Sequence, residues 1–461
     1  MAFMTAAEIS ALGPAQAATD DLTPLARARQ RMVAGGLWHQ GQHMGRRWAV
    51  GCVALEITQR CNLDCTLCYL SESAEAIHDI PLEEVFRRIA MIGAHYGPGT
   101  DVQITGGDPT LRQRGELLAI VRRCRETGLR PSLFTNGIKA SRDLLEELCE
   151  AGLIDVAFHV DLTQQRPGYN SEAELNVVRE QYIERTRGLP LSVLFNTTVF
   201  DGNLHQIPGL VEFFVRHSDV VRLASFQLQA ETGRGVLAGR GVDLSPQSVA
   251  DLIRTGAQAD INFDATDAGH PGCNRYAMTL VANGHVHDVF SDTVFIREIL
   301  EKTAHLSFDR SSRRRVLEAC ADWAVKNPAI WGKGAAWLAR LGWRLRKDLA
   351  GGNGKVNKLS FFIHNFMDAC HLEKDRVDAC IFMVVTADGP LSMCLHNAQR
   401  DRHLLKPLPV QHGEVVKFWH PLNGKLTLVK PVIDGVAATR KTARGRMRQE
   451  LEHRQAQNTN G

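Results

Sequence analysis

From Gly51 onward, short apolar or β-branched runs alternate with stretches whose apolar residues recur every three or four positions. Six runs read as strands: Cys52–Thr58, Asp101–Thr105, Pro131–Thr135, Asp155–Val160, Leu191–Val199 and Val220–Leu228. The intervening helices have legible ends. Pro81 opens one at its first position, with Leu82, Val85, Phe86 and Ile89 on one face. Leu117, Leu118, Val121 and Cys124 stripe the next, which stops at Gly128. Ser141 caps a third, with Leu144, Leu145 and Leu148 inward and Gly152 past its end. Ser245-Pro246 starts another after the sixth run. Strand–helix alternation with short connections predicts a parallel α/β sheet, and six units suggest a partial (β/α)6 barrel. An open doubly wound sheet fits the same pattern.

The alternation divides the chain. Residues 1–48 form a partly helical lead-in, 49–258 the barrel, 259–430 a C-terminal region and 431–461 a polar, basic tail expected to be solvated or disordered. Within the C-terminal region, 259–295 look irregular, 296–350 helical and basic, and 356–430 strand-and-loop. Hydrophobic residues make up 44% and charged ones 23%, as in ordinary globular proteins. A net charge of only +3 argues against nucleic acid as a partner. The N-terminus has neither a basic start nor an apolar run, and no stretch of about 18 apolar residues occurs. A cytoplasmic protein is expected. Eleven cysteines are too few for a disulfide scaffold, and their clustering reads as metal chemistry in a reducing compartment.

The densest cluster is EITQRCNLDCTLCYLSE, residues 56–72, with Cys61, Cys65 and Cys68 spaced C-x3-C-x2-C. It follows the first strand directly, and the loops after barrel strands form the working face. Closed zinc sites and all-cysteine Fe–S clusters take four ligands, so three thiolates leave a metal position open. A zinc knuckle with a remote fourth ligand, or buried free cysteines, are the alternatives. The second strand ends Gly106-Gly107-Asp108-Pro109, where two glycines allow close backbone approach. The third ends in Thr135-Asn136-Gly137.

This ordered set resembles the radical S-adenosylmethionine (SAM) superfamily. The resemblance implies that Cys61, Cys65 and Cys68 hold three irons of a 4Fe–4S cluster and that the fourth iron binds SAM. In that family an electron cleaves a SAM carbon–sulfur bond and gives a 5′-deoxyadenosyl radical, which abstracts hydrogen. The implied cofactor contacts are Tyr69 near the adenine, Gly106 and Gly107 facing the SAM ammonium, and Asp108 where the family more often has Glu. Asn136 belongs to the same set. His159 and Asp161 end the fourth strand, Asn196 lies in the fifth, and Gln229 and Glu231 follow the sixth. Each of these five is either a ribose or carboxylate contact or a satisfied polar group at the barrel mouth. A low-potential donor such as flavodoxin or ferredoxin is the expected redox partner.

Downstream, Cys370, Cys380 and Cys394 lie in FMDACHLEKDRVDACIFMVVTADGPLSMCLHN, and Cys273 lies in DAGHPGCNRY. Their spacing fits no zinc finger. Cys124 and Cys149 read as core, and Cys52 and Cys320 as structural. The two C-terminal stretches resemble the branch containing tetraether-lipid synthases and pterin-methylating enzymes, over roughly residues 50–400. That likeness implies a C-terminal auxiliary Fe–S extension on which Cys273, Cys370, Cys380 and Cys394 converge, with His396 as a substitute for Cys370. There are departures. Residues 1–51 contain no cysteine, whereas tetraether synthases carry an N-terminal Cys-x2-Cys site. Near Cys273 this chain has Ala268 and Gly269 where those enzymes offer another cysteine. The expected reaction is methylation or C–C bond formation at an unactivated carbon of a lipid or small heterocycle. The alternatives are peptide or protein modification, and a non-catalytic metal-binding interaction protein. The seven-cysteine extension of peptide-maturing relatives is absent, which lowers the first of these.

The stretch PAIWGKGAAWLARLGWRLRKDL combines Trp331, Trp337 and Trp343 with Lys333, Arg340, Arg344, Arg346 and Lys347. Trp337, Leu338, Leu341 and Leu345 share one helical face. Residues 329–348 therefore read as an amphipathic helix packed on the barrel or, with a lipid substrate, as a peripheral membrane contact.

Overall fold

In the computed structural model, which describes residues 3–237, 239–241, 243–306, 313–412 and 414–433, the six expected strands form successive parallel pairs. They are β1 (Cys52–Thr58), β2 (Asp101–Gly106), β3 (Arg130–Thr135), β4 (Asp155–His159), β5 (Ser192–Val199) and β6 (Val221–Leu228). Each lies within one residue of its expected bounds. The fold is an α/β partial barrel. Helices cover the outer face: Val53, Leu55 and Ile57 of β1 join Val85, Ile89 and Ile92 of the helix Leu82–Tyr96 in the main core. Residues of the opposite parity, such as Ala54 and Glu56, face a central cavity. Pro81 is the residue before that helix rather than its first turn. Ser141 caps its helix through Leu144 N–H, and Ser245 forms a capping box with Ser248.

Five further strands join the same sheet: β7 (Asn274–Ala282), β8 (His285–Asp288), β9 (Asn357–His364), β10 (Phe382–Thr386) and β11 (Gly389–Ser392). The order is β11-β10-β1-β2-β3-β4-β5-β6-β9-β7-β8. Residues 259–295, expected to be irregular, thus contain β7 and β8. Strand β9 runs parallel to β6, and β10 parallel to β1, so the C-terminal region extends the barrel wall at both edges. The two added flanks approach each other through side chains. Phe382 of β10 lies edge-on to Phe362 and His364 of β9 and to Phe366, at ring separations of 6.1, 4.8 and 6.1 Å. An aromatic seam closes that side of the cavity.

The helix Trp331–Gly351 packs Trp337, Leu341 and Leu345 against Leu280 and Ala282. Leu338, expected on that face, is 61% exposed, beside Trp331 at 55% and Trp343 at 67%. Among the described residues, no helix is long and apolar enough to cross a membrane. Of the tail expected over 431–461, residues 434–461 lie outside the described residues.

Candidate functional site

The cysteine loop leaves β1 at Thr58 and is held from three directions. Gly107 N–H donates to Thr58 O at 2.9 Å, and Asp108 N–H to Arg60 O at 2.8 Å. Thr66 N–H donates to Thr163 O beyond β4 at 2.7 Å, and Val236 N–H, beyond β6, to Thr66 O at 2.7 Å. Anchored so, Cys61, Cys65 and Cys68 line one end of a cavity of about 1630 Å³. Each ionised thiol would oppose its neighbours: burial and then Cys68 and Cys61 push the Cys65 thiol well up, and burial also raises Cys61. Among the described residues, no three His, Cys, Asp or Glu side chains stand close enough to clasp a single metal ion. A zinc ion gathers its thiolates on one metal, whereas a cluster spreads them over several irons. Three thiols on a cavity wall beside a glycine turn fit a cluster with one iron left open to a small ligand.

Gly106 and Gly107 are required for a different reason from the one their sequence suggests. A Cβ on Gly106, at φ +124°, would lie 2.0 Å from Thr58 O, and one on Gly107 would lie 2.0 Å from Arg60 O. The glycines admit the cysteine loop itself. Both also line the cavity.

Asp108 and Asp161 are not cavity residues. They repeat one device. Each carboxylate accepts from the N–H and hydroxyl of the threonine two residues on, Thr110 or Thr163. Each then takes a backbone N–H at the next strand's end, from Asn136 at 2.9 Å or Thr198 at 2.8 Å. Their oxygens are spent tying strand ends together. For Asp161, burial works against ionisation, but His159 at 2.8 Å and these donors hold its pKa below the usual value.

Gln229 and Glu231 also lie off the cavity. Both bond Gly239, and Glu231 N–H donates to Asp368 at 2.7 Å, so they brace the loop after β6. Tyr69, Asn136, His159 and Asn196 do line the cavity. The Tyr69 hydroxyl donates to Gly106 O at 2.5 Å, and Asn136 Nδ2 lies 4.0 Å from Cys61 Sγ.

Two cavity residues carry no motif. Glu56 and Arg400 form a buried ion pair, with Arg400 2.9 Å from both carboxylate oxygens and stacked 4.6 Å from the Tyr69 ring centre. Burial would raise the Glu56 pKa, but Arg400 and neighbouring groups bring it below the usual value. A lone acid in the apolar run CVALEIT signals Glu56; nothing local signals Arg400.

Of the four downstream cysteines, Cys273, Cys380 and Cys394 feel one another's charge. Cys380 is pushed up to about 11 by burial and then by Cys273, and Cys394 rises through burial and then Cys380. Arg376 Nε lies 3.2 Å from Cys273 Sγ. Cys370 does not join them. It is exposed, with its sulfur 3.2 Å from His371 Nδ1. His396, the substitute ligand, instead stacks on His403 beside Glu56 and Arg400.

Residues 55–211 match the family model of the Radical SAM superfamily. This segment is a radical SAM domain. The chain is 28% identical over 186 residues to the 7,8-dihydro-6-hydroxymethylpterin dimethyltransferase of Methanocaldococcus jannaschii, covering 39% of this chain and 36% of that one. It is 28% identical over 172 residues to the PqqA peptide cyclase of Bradyrhizobium diazoefficiens, covering 35% and 43%. The chain thus spans well under half the length of these relatives. Among solved structures, Streptococcus suis SuiB bound to precursor peptide SuiA aligns with a TM-score of 0.36 and 17% identity over 49% of this chain and 50% of that one, too slight a likeness to argue from. The radical SAM domain covers the cysteine loop and β1–β5, and β6, β7, β9 and β10 complete its cavity.

Proposed function

We propose that the protein modifies an unactivated carbon of a lipid or small heterocycle, by methylation or C–C bond formation. A 4Fe–4S cluster on Cys61, Cys65 and Cys68 with SAM on its open iron would supply hydrogen-atom abstraction. The residues do the rest. Tyr69 and Asn136 flank the cluster end, and the Glu56–Arg400 pair fixes charge on the wall behind it. The observation that carries the reading is the cavity. At about 1630 Å³ it exceeds the roughly 300–1,000 Å³ of a usual ligand site, so it has room for SAM and a substrate together. Its seam of Phe362, Phe366 and Phe382 suits an apolar or planar guest. Cys273, Cys380 and Cys394 would hold an auxiliary Fe–S cluster, and a flavodoxin- or ferredoxin-like protein would supply electrons.

The second reading is peptide modification, favoured by the 28% identity to a peptide cyclase. A non-catalytic metal-binding role leaves the cavity without a purpose. Untargeted lipid and metabolite profiling of a deletion strain separates the readings. Loss of a modified lipid or heterocycle supports the first; unchanged small molecules with a changed peptide supports the second.

A further inference from the structure

The loop after β6 clasps the cysteine loop. Arg234 N–H donates to Leu70 O at 2.8 Å, and Val236 N–H bonds Thr66 O. Gly233, at φ +54°, has its Cβ position 2.2 Å from Tyr69 O, so no other residue allows this approach. The clasp carries the Arg234 side chain into the protein, where it is fully buried. Its Nε lies 3.3 Å from Cys68 Sγ, and one terminal nitrogen lies 2.7 Å from Glu75 Oε1. The other terminal nitrogen is buried with no hydrogen-bond partner. A buried guanidinium with an idle donor is costly unless an acceptor is delivered to it.

We propose that Arg234 is a hydrogen-bond donor to the iron–sulfur cluster of Cys61, Cys65 and Cys68 and raises its reduction potential. Nε serves the Cys68 thiolate, and the idle nitrogen serves an acceptor that arrives with the cluster. The proposal rests on the reading that these cysteines hold a cluster. Reduction adds negative charge, so a fixed cation with N–H groups on a ligating sulfur favours the reduced state. Glu75 partly offsets that cation. The same device recurs where Arg376 Nε meets Cys273, which marks it as a way of handling thiolates in this chain. Arg234 is a positioning and tuning residue and does not touch substrate.

The test is an anaerobic redox titration of reconstituted protein, following the paramagnetic signal that changes when SAM is added. Arg234→Met is expected to keep its iron and shift the midpoint to more negative potential. About a tenfold change in the oxidised-to-reduced ratio corresponds to ~59 mV for one electron. Arg234→Lys should shift it less, and Glu75→Gln should shift it the other way. Full iron with an unmoved midpoint in Arg234→Met overturns the proposal. If Arg234→Met loses iron, the Lys and Gln variants decide, and no shift in either also overturns it. Absence of any SAM-responsive cluster in the wild-type protein removes the underlying reading, and the proposal with it.

Discussion

Replacing Gly107 with alanine should dislodge the cysteine loop. The added Cβ would sit 2.0 Å from Arg60 O, 2.5 Å from Arg60 C and 2.9 Å from Gln59 O, whereas real Cβ contacts stay above 3.0 Å. All three atoms are backbone, so no side-chain rotation relieves the clash. The loop must retreat by about 1 Å, which weakens the bonds from Gly107 to Thr58 and from Asp108 to Arg60. Overpacking of this kind costs about 1–3 kcal/mol, and each hydrogen bond lost adds roughly 1 kcal/mol. Cys61 follows Arg60 directly, so the thiols lose their register. Gly107→Ala should therefore bind much less iron after anaerobic reconstitution and unfold at lower denaturant. Gly115→Ala is the control: its Cβ meets nothing within 4 Å, on the helix Arg114–Glu126, where alanine gains up to about 1 kcal/mol. Wild-type iron content and stability in Gly107→Ala would refute the reasoning.

Iron per chain should fall in Cys380→Ala/Cys394→Ala but not in Cys370→Ala; equal iron in all three proteins contradicts a site built on Cys273, Cys380 and Cys394. His43 is buried with both ring nitrogens unpartnered, and burial, then Arg47, lowers its pKa to about 3. The fold favours neutral His43, so its share of stability is full above the ordinary pKa near 6.5 and is lost as pH falls toward 3; His43→Leu should reduce the slope of stability against pH between 6 and 4 by about one proton, and an unchanged slope counts against this. Residues 313–358 carry eleven Lys and Arg against three Asp and Glu, beside exposed Trp331, Leu338 and Trp343. Replacing those three with serine should reduce co-sedimentation with anionic vesicles, and equal sedimentation of both proteins would favour a helix that serves only the fold.

The six barrel strands were legible because each is a short apolar run between helices with marked ends. Strands β7 and β8 were not, and β9–β11 were legible only as a strand-and-loop region without bounds. Strand β7 opens on Asn274 and Arg275 and carries a buried Thr279, so it shows no clean apolar run, and β11 is only four residues long. The cysteine spacing and the glycine turn pointed to the site, since both are local. Asp108 and Asp161 drew attention as cofactor contacts because an acid after a strand reads alike whether it meets a ligand or caps its own turn. Only the threonine two residues on, in Asp-Pro-Thr and Asp-Leu-Thr, hints at capping. Gln229 and Glu231 drew attention to the loop after β6, but Arg234, between Gly233 and Gly235, is the residue that reaches a cysteine. Cys370 is the weakest of the four in sequence, with His396 as its substitute, and the chain's path leaves it exposed. Arg400 reaches Glu56 across 344 positions, a distance no local pattern encodes.

The account stands on the cysteine loop acting with SAM. The direct measurement is 5′-deoxyadenosine released from SAM by anaerobically reconstituted, dithionite-reduced protein, compared with a Cys61→Ala/Cys65→Ala/Cys68→Ala variant. The account predicts 5′-deoxyadenosine from the wild-type protein and none above background from the variant. Equal yields from the two, or none from iron-replete wild-type protein, would contradict it.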